Sequence, residues 1–176
     1  MNSKSFVNNE VEELKKRIKE SRITISTYTN VLEEIKMKDC NCGYCMRGEL
    51  LDKFGIEICD LEVSQLILFK EQSHPGRVIV AYKDHVSEIV SISDEERNLF
   101  MADVARAAKA LHAAFHPKKV NYGAYGDTGC HLHMHLVPKY EDDPFEWGGV
   151  FAMNPDRKYL TEEEYAEMIQ KIKDNL

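Results

Sequence analysis

The chain has 176 residues, 43% of them hydrophobic, and a formal net charge of −7. That length buries one core and falls short of two, so a single domain is expected, and the acidic balance excludes broad electrostatic binding to DNA, RNA or anionic lipid while leaving room for a small anionic ligand. The opening residues, MNSKSFVNNEVEELKKRIKE, have neither the apolar core of a signal peptide nor a membrane span, which points to a cytosolic protein without a membrane partner.

In chain order, Asn9 and Glu12 predict a cap for a charged helix from Val11 to about Glu20, with Val11, Leu14 and Ile18 as a thin apolar stripe. The segment YTNVLEEIKMK has the pattern of a second short helix, ended by Gly43 and the cysteine cluster CNCGYC. Five cysteines in a cytosolic chain read as metal ligands or reduced thiols sooner than as disulfides. GIEICDLEV, QLILFKEQ and GRVIVAYK predict three successive antiparallel strands. Ser93 with Glu96 then opens the clearest helix in the sequence, with Phe100, Val104, Ala107, Leu111 and Phe115 on one face and Pro117 as its stop. KVNYGAY and HLHMHLVPKY predict two more strands around the turn GDTG, and Thr161 with Glu164 caps a last helix to about Lys173. The expected fold is therefore α+β, a five-stranded antiparallel sheet with the long helix on one face and further helices at both ends.

The chemistry sits in HLHMHLV. Side chains alternate along a strand, so His131, His133 and His135 share one face while Leu132, Met134 and Leu136 cover a core. Positions two apart on a strand lie roughly 7 Å apart and the outer pair roughly 13 Å, too far for all three to hold one ion on an unbent chain. The three must divide their work. Imidazole acts as a nucleophile through one nitrogen and, when protonated, donates to phosphate oxygens, which suits phosphoryl or nucleotidyl chemistry. A metal site built on HxH and an incidental histidine run are the rival readings. Separately, Cys42 and Cys45 form a CxxC that presents two thiolates to one tetrahedral zinc and needs two further ligands; reduced thiols in a glycine-containing turn are the alternative. Cys40 is a spare ligand, Cys59 and Cys130 are expected in or beside the core, and Trp147 is expected either in the core or shaping the pocket.

The alternation of histidine and apolar residues in HLHMHLV resembles the motif of the histidine triad family of nucleotide hydrolases and transferases, and HPGRVIVAYKDHV ahead of a long helix has the family's order of strand, loop and helix. The resemblance spans roughly residues 40–140. It implies a division into an N-terminal helical extension (1–39), a histidine triad domain (40–140) and a C-terminal loop and helix packed on that domain (141–176). It implies His133 as the nucleophile at an α-phosphoryl group, His135 as a contact of the same phosphate in protonated form, Thr128 as a hydroxyl donor to phosphate or leaving group, and Asn121 as a further nucleotide contact. The Asn121 to His131 interval is one residue shorter than the family's common spacing, and the ribose position falls on Phe69 or Lys70 instead of an acidic or amide residue. Zinc-binding bacterial members imply His85 and His131 as the partners of Cys42 and Cys45 in a structural site, with no catalytic metal. The implied activity is hydrolysis of a nucleotide phosphoramidate or dinucleoside polyphosphate by a homodimer. A nucleotidyltransferase, or a zinc-stabilised nucleotide-binding scaffold, is the alternative.

Overall fold

The computed structural model describes residues 15–21, 39–126, 129–142, 144, 147–148 and 156–176. The chain divides into two units, Met1–Lys38 and Asp39–Leu176, each taken by itself. In the first, residues 15–21 form helix α1 with its side chains exposed. The expected cap at Asn9 and the short helix in YTNVLEEIKMK lie outside the described residues.

The second unit runs α2 (Gly43–Met46), α3 (Gly48–Leu51), β1 (Gly55–Asp60), β2 (Ser64–Phe69), β3 (Val78–Tyr82), α4 (Asp94–Phe115), β4 (Lys119–Gly123), β5 (His133–Lys139) and α5 (Glu162–Lys173). The strands form one antiparallel sheet in the order β1-β2-β3-β5-β4, so β5 inserts between β3 and β4. The fold class is the expected one.

Both faces of this sheet are covered, which explains why LILF and VIVAY are apolar runs without alternation. On one face Leu66, Leu68, Val78, Val80 and Leu136 pack against Phe100, Val104, Ala107 and Leu111 of α4 and against Tyr165 and Ile172 of α5. On the other face Ile67, Ile79 and Ala81 form a smaller cluster with Leu51, under Tyr44, Phe54 and Phe69. Each fully buried Leu, Ile, Val or Phe side chain contributes about 1.5–3 kcal/mol, so the helix side dominates stability. The thinner layer opposite is where the sheet can open to a ligand.

The ends of α4 follow the sequence. Ser93 accepts from the Glu96 amide while the Glu96 carboxylate accepts from the Ser93 amide, and His116 closes the helix in a left-handed conformation (φ 51°) just before Pro117. Thr161 and Glu164 repeat the box at α5. Asp103, buried within α4, accepts from the amides of Glu62 and Val63 at 3.2 and 3.0 Å and from the Ser64 hydroxyl at 2.7 Å. A carboxylate is thereby satisfied away from water, and the β1–β2 turn is tied to the helix by bonds worth about 1.5–3 kcal/mol each. Among the described residues, no helix is long and apolar enough to cross a membrane.

Candidate functional site

Cys42 caps α2 and Cys45 lies within it, so one turn of helix turns both sulfurs the same way. His85 follows β3 and His131 stands in the bend before β5. The four ligand atoms all lie within 4.8 Å of one another. Cys45 Sγ is 3.2 Å from His85 Nδ1 and 3.5 Å from His131 Nδ1, Cys42 Sγ is 3.4 Å from His131 Nδ1, and the two Nδ1 atoms are 3.4 Å apart. Zinc bonds of about 2.3 Å to sulfur and about 2.0–2.1 Å to nitrogen place tetrahedral ligands about 3.3–3.8 Å from each other. The four residues therefore form a possible metal site whose donor set and spacing fit a tetrahedral ion.

The surroundings prepare the donors for that role. His131 Nε2 donates to the Tyr82 carbonyl at 2.7 Å, which leaves the Nδ1 lone pair on the cluster side. Asp39 places a carboxylate oxygen 4.0 Å from His85 Nε2. Burial holds the His131 pKa down to about 4 and pushes the Cys45 thiol up to about 11. The imidazole is thus in the neutral form a metal takes, whereas the thiol releases its proton to solvent only when a cation stands beside the sulfur. Cys40 is exposed and stands outside the cluster.

One wall of this cluster is also the wall of a cavity of about 560 Å³, to which Cys42 and His85 contribute alongside Tyr44, Arg77, His133 and His135. Cross-strand pairs set the histidines: Ala81 faces His133 and Ile79 faces His135 across β3 and β5. The ring of Tyr44 lies 4.9 Å from that of His133, inclined by 29°. His133 Nδ1 donates to the His131 carbonyl at 2.6 Å, so Nε2 carries the lone pair. Burial lowers the His133 pKa, partly offset by that carbonyl, which keeps the ring neutral and nucleophilic.

His135 differs from expectation. An N–H of Arg77 donates to its Nδ1 at 3.2 Å, and burial, then the Arg77 charge, then His133 hold its pKa down to about 3. Both the contact and the lowered pKa oppose the imidazolium expected from the sequence. Arg77 itself is 3% exposed and stacks 4.1 Å above the centroid of Phe69.

The structure thus brings His133 and His135 into the cavity and gathers Cys42, Cys45, His85 and His131 beside it. Asn121 pairs with Val137, two positions beyond the Gly123–His135 pair, so it shares the histidine face without lining the cavity. Thr128 lies outside the described residues. Phe69 lines the cavity, while the Lys70 amine is engaged with the Asp52 carbonyl. Cys59 packs against the main core as expected, but Cys130 is exposed and lines the cavity, because the bend that swings His131 toward the cysteines carries its neighbour out of the interior. Trp147 is half exposed and takes no part in the core.

Among the residues lining the cavity, Tyr44, Arg77 and Tyr125 carry no local sequence signal for the site. Tyr44 lies between two cysteines that converge on one point, and Arg77 shares the β3 parity of Ile79, which faces His135. Tyr125 folds back over Gly123, where a Cβ would meet its ring at 2.5 Å, and so reaches to 6.0 Å from His135.

Residues 58–142 match the HIT domain family model, so the chain carries a HIT domain. A histidine triad protein from Sinorhizobium meliloti is 25% identical over 75% of this chain and 97% of that one, with a TM-score of 0.68. A hypothetical histidine triad nucleotide-binding protein from Sulfolobus tokodaii is 18% identical over 76% and 91% of the two chains, with a TM-score of 0.58. A Zn-bound histidine triad family protein from Mycobacterium smegmatis is 22% identical over 68% and 85%, with a TM-score of 0.50. No curated protein sequence matches the chain.

Proposed function

We propose that the protein binds a nucleotide or dinucleotide and hydrolyses it at the α-phosphate through a nucleotidyl intermediate on His133. The observation that carries this reading is the His133 Nδ1–H bond to the His131 carbonyl, which leaves Nε2 bare on a side chain lining the cavity. Nε2 attacks phosphorus, the leaving group departs with the bonding electrons, and water then cleaves the phosphorus–nitrogen bond. His135 donates from Nε2 to a non-bridging oxygen as charge develops there. Thr128 and Asn121 are assigned as phosphate contacts from their sequence positions alone. Phosphoramidates and dinucleoside polyphosphates are the substrate candidates.

Cys42, Cys45, His85 and His131 would hold a structural zinc; a histidine triad family protein of similar fold is described as Zn-bound. The chemistry zinc would supply is electrostatic, favouring the thiolate forms of Cys42 and Cys45 beside the bend that carries His131. A reducing, cytosolic setting fits, since the cysteines are free thiols.

A homodimer is part of the proposal. β4 is an edge strand with Tyr122 55% exposed, and α4 presents Leu99 and Met101, each 42% exposed. Light scattering at micromolar concentration should return twice the 20.3 kDa chain mass; the single-chain mass would refute the dimer.

The function is tested by assaying the purified protein against adenosine and guanosine phosphoramidates, dinucleoside polyphosphates, and a nucleotide sugar with and without an acceptor phosphate. Release of a nucleoside monophosphate without acceptor is the expected result. Product formed only with acceptor would make the protein a transferase, and no processing of any nucleotide would end the enzymatic reading.

A further inference from the structure

Arg77 is fixed from every side. Gly76, at φ +86°, makes the turn into β3 in the left-handed region that glycine adopts freely. The buried Gln72 side chain holds that turn by accepting from the Gly76 amide at 2.8 Å and donating to the Arg77 carbonyl at 3.0 Å. The guanidinium lies on Phe69 and stands 3.9 Å from the buried carboxylate of Glu71. Glu71 is in turn held by the amides of Ser73 at 2.8 Å and Lys158 at 3.2 Å. Such a cation does not swing away when substrate enters.

A guanidinium has donors and no acceptor, so the 3.2 Å contact with His135 Nδ1 admits only one arrangement. Nδ1 accepts, and the ring proton sits on Nε2. A second proton on Nδ1 would face an N–H at hydrogen-bond distance from a fixed positive charge. His135 is therefore held as a hydrogen-bond donor that has no proton to give away, since losing the one on Nε2 would leave an imidazolate.

We propose that Arg77 is a positioning and specificity-determining residue, which by occupying Nδ1 of His135 confines the reaction to leaving groups that depart as anions. The proposal rests on the hydrolase reading above. With an anhydride, His133 Nε2 forms the bond to phosphorus, the bridging P–O bond breaks, and its electron pair stays on a weakly basic phosphate oxygen that needs no proton. Water then forms the new P–O bond, releases one proton to solvent, and the P–N electrons return to Nε2. With a phosphoramidate, the breaking P–N bond puts its pair on a basic nitrogen that must take up a proton to leave, and His135 as held does not supply one. The buried charge of Arg77 further favours a polyanionic substrate.

Two measurements on the wild-type protein decide the matter. Long-range proton–nitrogen NMR correlations, with His135 assigned through His135→Gln, should show the Nε2–H form with a bare Nδ1. The Nδ1–H form, or a mixture, overturns the proposal. The kcat/KM for a diadenosine polyphosphate should exceed that for adenosine 5′-phosphoramidate by about 100-fold, the scale of a missing general acid. Comparable values overturn the role of Arg77 and leave the hydrolase intact; turnover of neither overturns both. Arg77→Met, paired with Glu71→Gln so that no carboxylate is stranded, should lose about 100-fold on the anhydride and far less on the phosphoramidate, as expected for removal of a preorganised electrostatic contact. An equal loss on both substrates would mean that Arg77 is merely structural.

Discussion

His133→Ala should abolish turnover while nucleotide affinity stays within about one order of magnitude, because deleting a nucleophile removes bonding that exists only along the reaction path. Geometry singles out this ring. Its Nδ1 is committed to the His131 carbonyl, its plane is braced by Tyr44, and Nε2 is left as the one bare nitrogen. His135 has its acceptor nitrogen filled by Arg77 and cannot replace it. His131 is turned toward the cysteines, with Nε2 spent on the Tyr82 carbonyl. Acid-labile label from rapidly quenched wild-type protein should map to His133, and His133→Gly should regain some activity with added imidazole. Label on His135, or a mutant rate near wild type, would show that the roles are exchanged.

The second large effect concerns metal. Protein purified without chelators should contain one zinc per chain, and Cys42→Ser should lose it together with stability on the order of a few kcal/mol, since binding to a site formed only in the folded state adds to folding free energy. For a chain of this size that corresponds to a melting point lower by roughly 5–15 °C. The distances are the reason: edges of 3.2–3.5 Å link all four donors, so Cys42→Ser takes away the thiolate that closes the tetrahedron, and the three-donor remnant binds far less tightly. Elemental analysis of the wild type that finds no stoichiometric zinc would refute the site as a zinc centre.

Local signals were legible because they are local. The capping boxes at Ser93 and Thr161, the stop at Pro117 and the apolar face of α4 depend on residues within one helix, and the structure repeats them. The convergence of Cys42, Cys45, His85 and His131 was reachable through the family resemblance, since nothing in the spacing of CxxC places a histidine 40 residues away from Cys45. What stayed hidden depends on register. That Ile79 faces His135, and hence that Arg77 enters the cavity, follows from pairing β3 with β5 across an intervening helix and strand. Without that pairing, a protonated His135 was a reasonable expectation; the buried cation beside it reverses the outcome. Cys130 departs from expectation for a similar reason: the alternation reads as strand from His131, whereas the chain bends there and the strand begins at His133.

The family model ends at residue 142, yet the folding unit does not. Lys158 offers its carbonyl to the Gln72 amide at 2.8 Å and its own amide to Glu71, and the Tyr165 hydroxyl donates to the Lys70 carbonyl at 2.7 Å. Ile172 is fully buried against the main core. The tail thus clamps the short loop that aims Arg77, so a shortened gene stopping at the family boundary would lose the fastening of its own pocket. A substitution in this tail, outside the matched domain, would therefore reach the pocket through the loop that carries Arg77 without touching any of the three histidines.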